Sequence, residues 1–139
     1  MCNHTVAMAE IERSLLLDSP PDEVWKAITD ESLLREWLAP DVELDLRPRG
    51  ALRCRSEDGE ERLGTVELVE EGERLAFRWR RECAAAESRV ELRLEDVEGG
   101  TRLTVTESGL EAETAPRASA GWRTRLESLR LALTELVYA

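Results

Sequence analysis

Trp37-Leu38-Ala39-Pro40-Asp41-Val42-Glu43-Leu44-Asp45-Leu46 is the stretch in which the hydrophobic pattern of this chain changes period. Before Pro40, the residues Leu33, Leu34 and Trp37 recur at helical spacing. After it, Val42, Leu44 and Leu46 alternate with Glu43, Asp45 and Arg47. Proline lacks the amide donor that a helix interior needs, so the helix stops there. A period of two marks a strand with one buried face. Helices precede this point and a sheet follows it.

Downstream, short alternating runs are separated by turn residues. Pro48-Arg49-Gly50 is a turn, and Leu52 and Cys54 then alternate with Arg53 and Arg55. Glu57-Asp58-Gly59-Glu60 reads as a hairpin tip, because Asp-Gly accepts positive φ. Leu63 to Val69 is a strand and Glu70-Glu71-Gly72-Glu73 the next turn. Leu75, Phe77 and Trp79 share one face, as do Val90, Leu92 and Leu94. Gly99-Gly100 is a second tight hairpin, leading to Leu103 and Val105, and Ser108-Gly109 is read as the end of the sheet. Together these runs describe an antiparallel meander of about six strands with one wet face.

Upstream, Glu10 to Asp18 reads as a further strand. Ser19-Pro20-Pro21-Asp22 breaks it and opens a short helix carrying Val24, Trp25 and Ile28, and Asp30 caps a second helix, Glu31 to Leu38. At the far end Pro116 precedes the last element. There Trp122, Leu126, Leu129, Leu133 and Leu136 follow a four-three spacing that puts them on one helical face. That helix is expected from about Ala118 to Tyr138, roughly 30 Å at 1.5 Å per residue. Arg123, Arg125, Glu127 and Arg130 lie largely off its apolar stripe. The fold class is α+β, with a long C-terminal helix across a curved antiparallel sheet of about seven strands.

Composition narrows the function classes. The 139 residues carry 19 basic and 30 acidic side chains, for a net charge of −11. A nucleic-acid backbone or an anionic membrane requires a concentrated basic surface, and the arginines here are interleaved with glutamates. No segment approaches the ~20 apolar residues of a membrane span. Residues 1–7 carry no secretory pattern and are expected to form a dispensable tail ahead of one domain over 8–139. A cytoplasmic location follows as the expectation. Cys2, Cys54 and Cys83 show no metal-ligand spacing and read as reduced thiols, with Cys54 as core filler. His4 is the single histidine, so a Ser-His-Asp or Cys-His device is not available. A pair of ligands at Cys2 and His4 makes a weak metal site at best. No cofactor and no metal are expected.

The order of elements, with specific residues at each, resembles the START-like (SRPBCC) superfamily and within it the activator of heat-shock protein 90 ATPase-like family. The resemblance rests on Pro20-Pro21-Asp22-Glu23-Val24-Trp25 with Thr29-Asp30, Leu34-Arg35-Glu36-Trp37 and Asp45-Leu46-Arg47-Pro48-Arg49-Gly50. It continues through Gly64-Thr65-Val66, Leu75-Ala76-Phe77-Arg78-Trp79, the run from Gly100 to Gly109, and Gly121-Trp122. Two departures stand out: family members often carry two glycines where this chain has Arg49-Gly50, and many carry a tryptophan pair where Leu38 follows Trp37. The resemblance implies a helix-grip fold with a cavity between sheet and helix. It does not imply one activity, because this scaffold carries many.

Three function classes therefore stand. The first is a binding module that holds a small apolar molecule, in a monomer or weak homodimer. Its candidate lining is Trp37, Leu52, Cys54, Val66, Phe77, Trp79, Val90, Leu92, Trp122, Leu126 and Leu129. Four of these aromatics, Trp37, Phe77, Trp79 and Trp122, either wall a cavity or simply fill a core. The second is a cyclase- or aromatase-like enzyme using an inward polar residue such as Glu107, Arg53 or Cys54. Glu107 shares parity with Leu103 and Val105 and is the one catalytic candidate, as a general acid or base. The preferred reading ends the strand at that point and leaves Glu107 solvated or paired with an arginine. The third is a co-chaperone-like interaction module, which requires a contiguous exposed apolar patch.

Overall fold

A computed structural model describes residues 7–82 and 86–138, with side chains as far as 134. Expectations about Met1 to Val6, about Cys83 and about the side chain of Leu136 fall outside these residues. Ala7 is within them, and its carbonyl accepts a hydrogen bond from Ala112 N at 2.9 Å.

The order is β1 (Met8–Leu17), α1 (Pro21–Thr29), α2 (Glu31–Trp37), β2 (Asp41–Leu44), β3 (Ala51–Arg55), β4 (Glu61–Glu70), β5 (Arg74–Arg81), β6 (Ser88–Val97), β7 (Gly100–Glu111) and α3 (Ala115–Tyr138). A single 3₁₀ turn, Ala112–Thr114, joins the last two. The seven strands form one antiparallel sheet in the order β1-β7-β6-β5-β4-β3-β2. This is the meander read from the sequence, closed at one side by the first strand. The helices cover one face, where a continuous core runs from Leu17 through Val24, Ile28 and Trp37 to Leu103, Leu129 and Leu133.

Local chemistry accounts for the boundaries. Pro21 opens α1 at a position whose amide has no helical partner, and Asp22 and Glu23 meet the positive end of the helix dipole. Asp30 caps α2 by accepting from Ser32 N at 2.9 Å and Ser32 Oγ at 2.6 Å, and these bonds hold its carboxyl below the usual range.

Three boundaries differ from expectation. β2 ends at Leu44, so Leu46, read as the next residue of its buried face, lies in the following turn and is exposed. The last helix begins at Ala115, so Pro116 lies inside its first turn, where a missing amide costs nothing. The last strand also continues past Ser108-Gly109 to Glu111. Gly109 takes φ 76°, and the register of β1 against β7 shifts between Ala9 and Ile11 to absorb the irregularity. The strand therefore bends and does not stop.

The Arg49-Gly50 departure has a structural consequence. A Cβ on Gly50 would lie 2.0 Å from the carbonyl oxygen of Asp45, so glycine is required there. Arg49 beside it holds φ 72°, the only positive-φ residue other than glycine among the described residues. A left-handed conformation costs an L-residue roughly 1–2 kcal/mol. Glycine removes that cost but returns about 0.4–1 kcal/mol of chain entropy to the unfolded state. Arg49→Gly is therefore expected to stabilise the fold by about 0.5–1 kcal/mol. A urea titration that shows unchanged or lower stability would contradict this account of the turn.

Candidate functional site

The sheet's inward face carries a row of side chains at the end nearest the start of α3. On β4, Arg62 has the parity of Gly64 and Val66, and Gly64 pairs with Trp79 on β5. Trp79 in turn pairs with Ser88 on β6, and Val90 pairs with Glu107 on β7. Gly64 is needed for this close packing, since a Cβ there would lie 2.3 Å from the Arg78 carbonyl and 2.9 Å from Trp79 Cβ. From above, α3 lowers Trp122 and Arg125, one turn apart, onto the same spot.

Glu107 is at the centre of the row. It is 2% exposed and accepts three hydrogen bonds, all from neutral donors. Trp79 Nε1 donates to Oε2 at 3.0 Å, Ser88 Oγ donates to Oε2 at 2.5 Å, and Trp122 Nε1 donates to Oε1 at 2.8 Å. An ionised carboxylate offers about four acceptor positions, so most are taken. The expectation that Glu107 is solvated fails because β7 continues beyond it and keeps it on the core side; its oxygens bond no arginine among the described residues, but its charge favours the charged forms of Arg62 and Arg125. The two indoles it holds are stacked, with ring centres 5.8 Å apart and planes 24° apart, and Phe77 meets Trp79 edge-on at 5.1 Å.

Two guanidiniums lie on these rings. Arg62 Cζ is 4.6 Å from the Trp79 ring centre, and Arg125 Cζ is 5.5 Å from Trp79 and 4.9 Å from Trp122. Burial pulls Arg125 down to about 10, and the charge of Arg62 pushes the same way. Arg62 is lowered too, chiefly by burial. Beneath them Cys54 is buried, which raises its thiol to about 11 and leaves it neutral and inert near pH 7.

A cleft of about 620 Å³ opens over this cluster, between the end of the sheet and the first turns of α3. Its floor includes Trp79, Ser88 and Glu107, and its walls include Arg62, Arg80, Arg81, Arg117 and Arg125. The rim carries Asp58, Glu60, Glu82, Glu87 and Glu111, and the helix side presents Ala118 and Gly121.

All eleven residues read as lining belong to the single core cluster. Of these, Trp79 reaches the large cleft. Trp37, Leu52, Phe77 and Leu92 surround a separate void of only about 10 Å³, at the limit for one water molecule. Trp37 is anchored there by donating Nε1–H to the Ala27 carbonyl at 2.9 Å. Neither space is lined by Cys54, Val66, Val90, Trp122, Leu126 or Leu129. Arg53 points to the outer face, in an ion network with Glu43 at 2.8 Å and Glu61 at 3.0 Å.

Sequence reasoning passed over Arg62, Ser88 and Arg125. Each has a signal: Arg62 shares parity with Gly64 and Val66, Ser88 with Val90 and Leu92, and Arg125 is three residues from Trp122. No group of three or more metal-ligating side chains occurs among the described residues. No helix among them is long and apolar enough to cross a membrane.

The arrangement has solved relatives. MLL2253 from Mesorhizobium loti superposes with a TM-score of 0.85 at 21% identity, over 91% of this chain and 98% of that one. CalU16 from Micromonospora echinospora gives 0.78 at 26% identity, over 94% and 80%. DynU16, a protein in the dynemicin biosynthetic locus, gives 0.83 at 27% identity over 90% of this chain and 47% of its own length. This chain thus spans about half the length of DynU16. No curated protein matches it. The helix-grip architecture expected from the sequence is the one these structures share. Residues 18–134 match the family model described as Activator of Hsp90 ATPase homolog 1-like protein, and the chain belongs to that family.

Proposed function

We propose that this domain binds a small, largely apolar aromatic molecule in the cleft above Trp79 and Glu107. The observation that carries the reading is the cleft itself: about 620 Å³, between sheet and helix, with a wall of guanidinium planes backed by stacked indoles. Ligand sites typically measure about 300–1,000 Å³; this cleft has that volume, with Trp79 as its aromatic surface and a lining otherwise rich in charged side chains. A relative within a biosynthetic locus supports a setting of small-molecule chemistry. The eleven buried residues then serve mainly as the packed support of the site, with Trp79 as the direct contact.

The enzyme alternative rests on Glu107, and it is the weaker reading because its oxygens are committed to three donors. An interaction module finds little support. Among the described residues, the exposed large apolar side chains are Met8, Leu16, Leu46, Leu63 and Leu131, spread over β1, the turn after β2, β4 and α3.

Gly121 makes a direct test possible. A Cβ there would meet nothing nearer than Arg125 Nη1 at 3.8 Å, so a longer side chain extends into the cleft. Leucine also suits a helix better than glycine by roughly 0.8–1 kcal/mol. Gly121→Leu is expected to keep or raise the melting temperature while abolishing saturable binding of a neutral naphthylamine dye that the wild type binds. If no such dye saturates the wild type, or if the variant binds it equally well, the proposal fails.

A further inference from the structure

The cleft contains a cation with no hydrogen-bond acceptor among the described residues. Among the described residues, Arg125 makes no hydrogen bond and no ion pair; it lies on the faces of Trp79 and Trp122, within the electrostatic reach of Glu107 and Glu60. No buried side-chain polar atom among the described residues lacks a partner, so the nitrogens of Arg125 reach the cleft and do not end in the core. Arg62 lines the same space, and among the described residues its one ion pair is with Glu60 at 3.6 Å, beyond hydrogen-bond distance. The carboxylate nearest in the floor, Glu107, is already held by two indoles and a serine. A planar guanidinium supported on aromatic rings presents several fixed N–H donors, and their natural complement is a carboxylate.

We propose that the ligand bound in this cleft carries one anionic group, a carboxylate on a flat apolar body, received by Arg125 with Arg62 as the second cation. This rests on the small-molecule reading above and narrows it. Burial weakens the charged form of both arginines, Glu107 and Glu60 offset it only in part, and an anion set directly against the guanidiniums adds to that compensation. The rim points the same way. Asp58, Glu82, Glu87 and Glu111 are exposed there, so a ligand with several negative charges is repelled at the entrance while a mostly apolar monoanion can enter. Glu60 is engaged with Arg81 as well as Arg62, each at 3.6 Å. Arg80 and Arg81 lie toward the mouth, as does Arg117, while Arg125 sits directly on the indole stack.

The test compares two probes of the same shape, 2-naphthoate and 2-naphthamide, by isothermal titration. A charge-assisted contact predicts that the wild type prefers the naphthoate by roughly 10–100-fold. Arg125→Met keeps a long unbranched stem on the indoles but removes the charge, and should bring that ratio to within about threefold. Arg62→Met should reduce it in the same direction and serves as the second variant should the first fail to fold. Equal affinity of the two probes for the wild type would overturn the anion proposal and leave the small-molecule reading standing. A preference that survives both substitutions would overturn the assignment to these arginines. Failure of the naphthoate to bind, beside saturable binding of the neutral dye, would overturn the proposal as well.

Discussion

Glu107→Leu is expected to destabilise the fold by about 3–6 kcal/mol, although leucine is apolar and the site is buried. The physical reason is the donors it leaves behind. Trp79 Nε1, Trp122 Nε1 and Ser88 Oγ each lose their acceptor at once, and a buried donor left unsatisfied costs roughly 1–3 kcal/mol. An apolar replacement is harmless only where both partners are replaced, and here three partners remain. Glu107→Gln should lie between wild type and leucine, since its one carbonyl oxygen can serve some of these donors while its NH₂ confronts the rest. The measurement is equilibrium unfolding in urea for the three proteins. A leucine variant within about 1 kcal/mol of wild type, well under the cost expected for orphaned donors, would show that the carboxylate does not hold the indole pair.

The second large effect belongs to Trp122→Ala, expected to cost about 3–5 kcal/mol, the usual range for deleting a buried tryptophan. Trp122 is 0% exposed, stacks on Trp79, supports Arg125 and bonds to Glu107. Alanine is the best helix former, so α3 itself is not weakened and the loss is tertiary. For a chain of 139 residues, about 4 kcal/mol corresponds to a fall of roughly 14 °C in Tm. Trp122→Phe retains most of the ring and loses the N–H, and should cost about 1–2 kcal/mol of hydrogen bonding and packing. If the alanine variant melted within a few degrees of wild type, the cluster would be ornamental to stability.

Much of the fold was legible because periodicity is a local property. The change of period at Pro40 separates helices from sheet, and the turns at Gly59, Gly72 and Gly99 take positive φ as their sequences require. The boundaries that moved did so for tertiary reasons. Ser108-Gly109 looks like a stop, and pairing with β6 does end at Ser108, but pairing with β1 carries the strand onward to Glu111. Pro116 looks like a flank, but a proline in a first turn has no amide bond to lose.

The candidate site was legible only in part. Parity identified Trp79 and Trp122 as inward, and it raised Glu107 for inspection. It did not show that the indoles would turn their N–H groups to that carboxylate, because the three residues are separated by 28 and 15 positions in the chain. Arg62 and Arg125 look like members of a solvated charged surface, and their position over the rings depends on how α3 crosses β4 and β5.

Alone, the sequence determined the element order, the parity of β2, β3, β5, β6 and β7, and the apolar stripe of the last helix. These follow from residue identity and spacing within a few turns or pairs. Tertiary structure decided where empty volume remains. At the end near Trp37 and Phe77 the side chains meet and leave about 10 Å³, while at the end near Glu107 a helix start and a strand bend hold the layers apart around about 620 Å³. Volume between layers is set by the crossing of distant elements and the packing of their side chains, which no local pattern encodes.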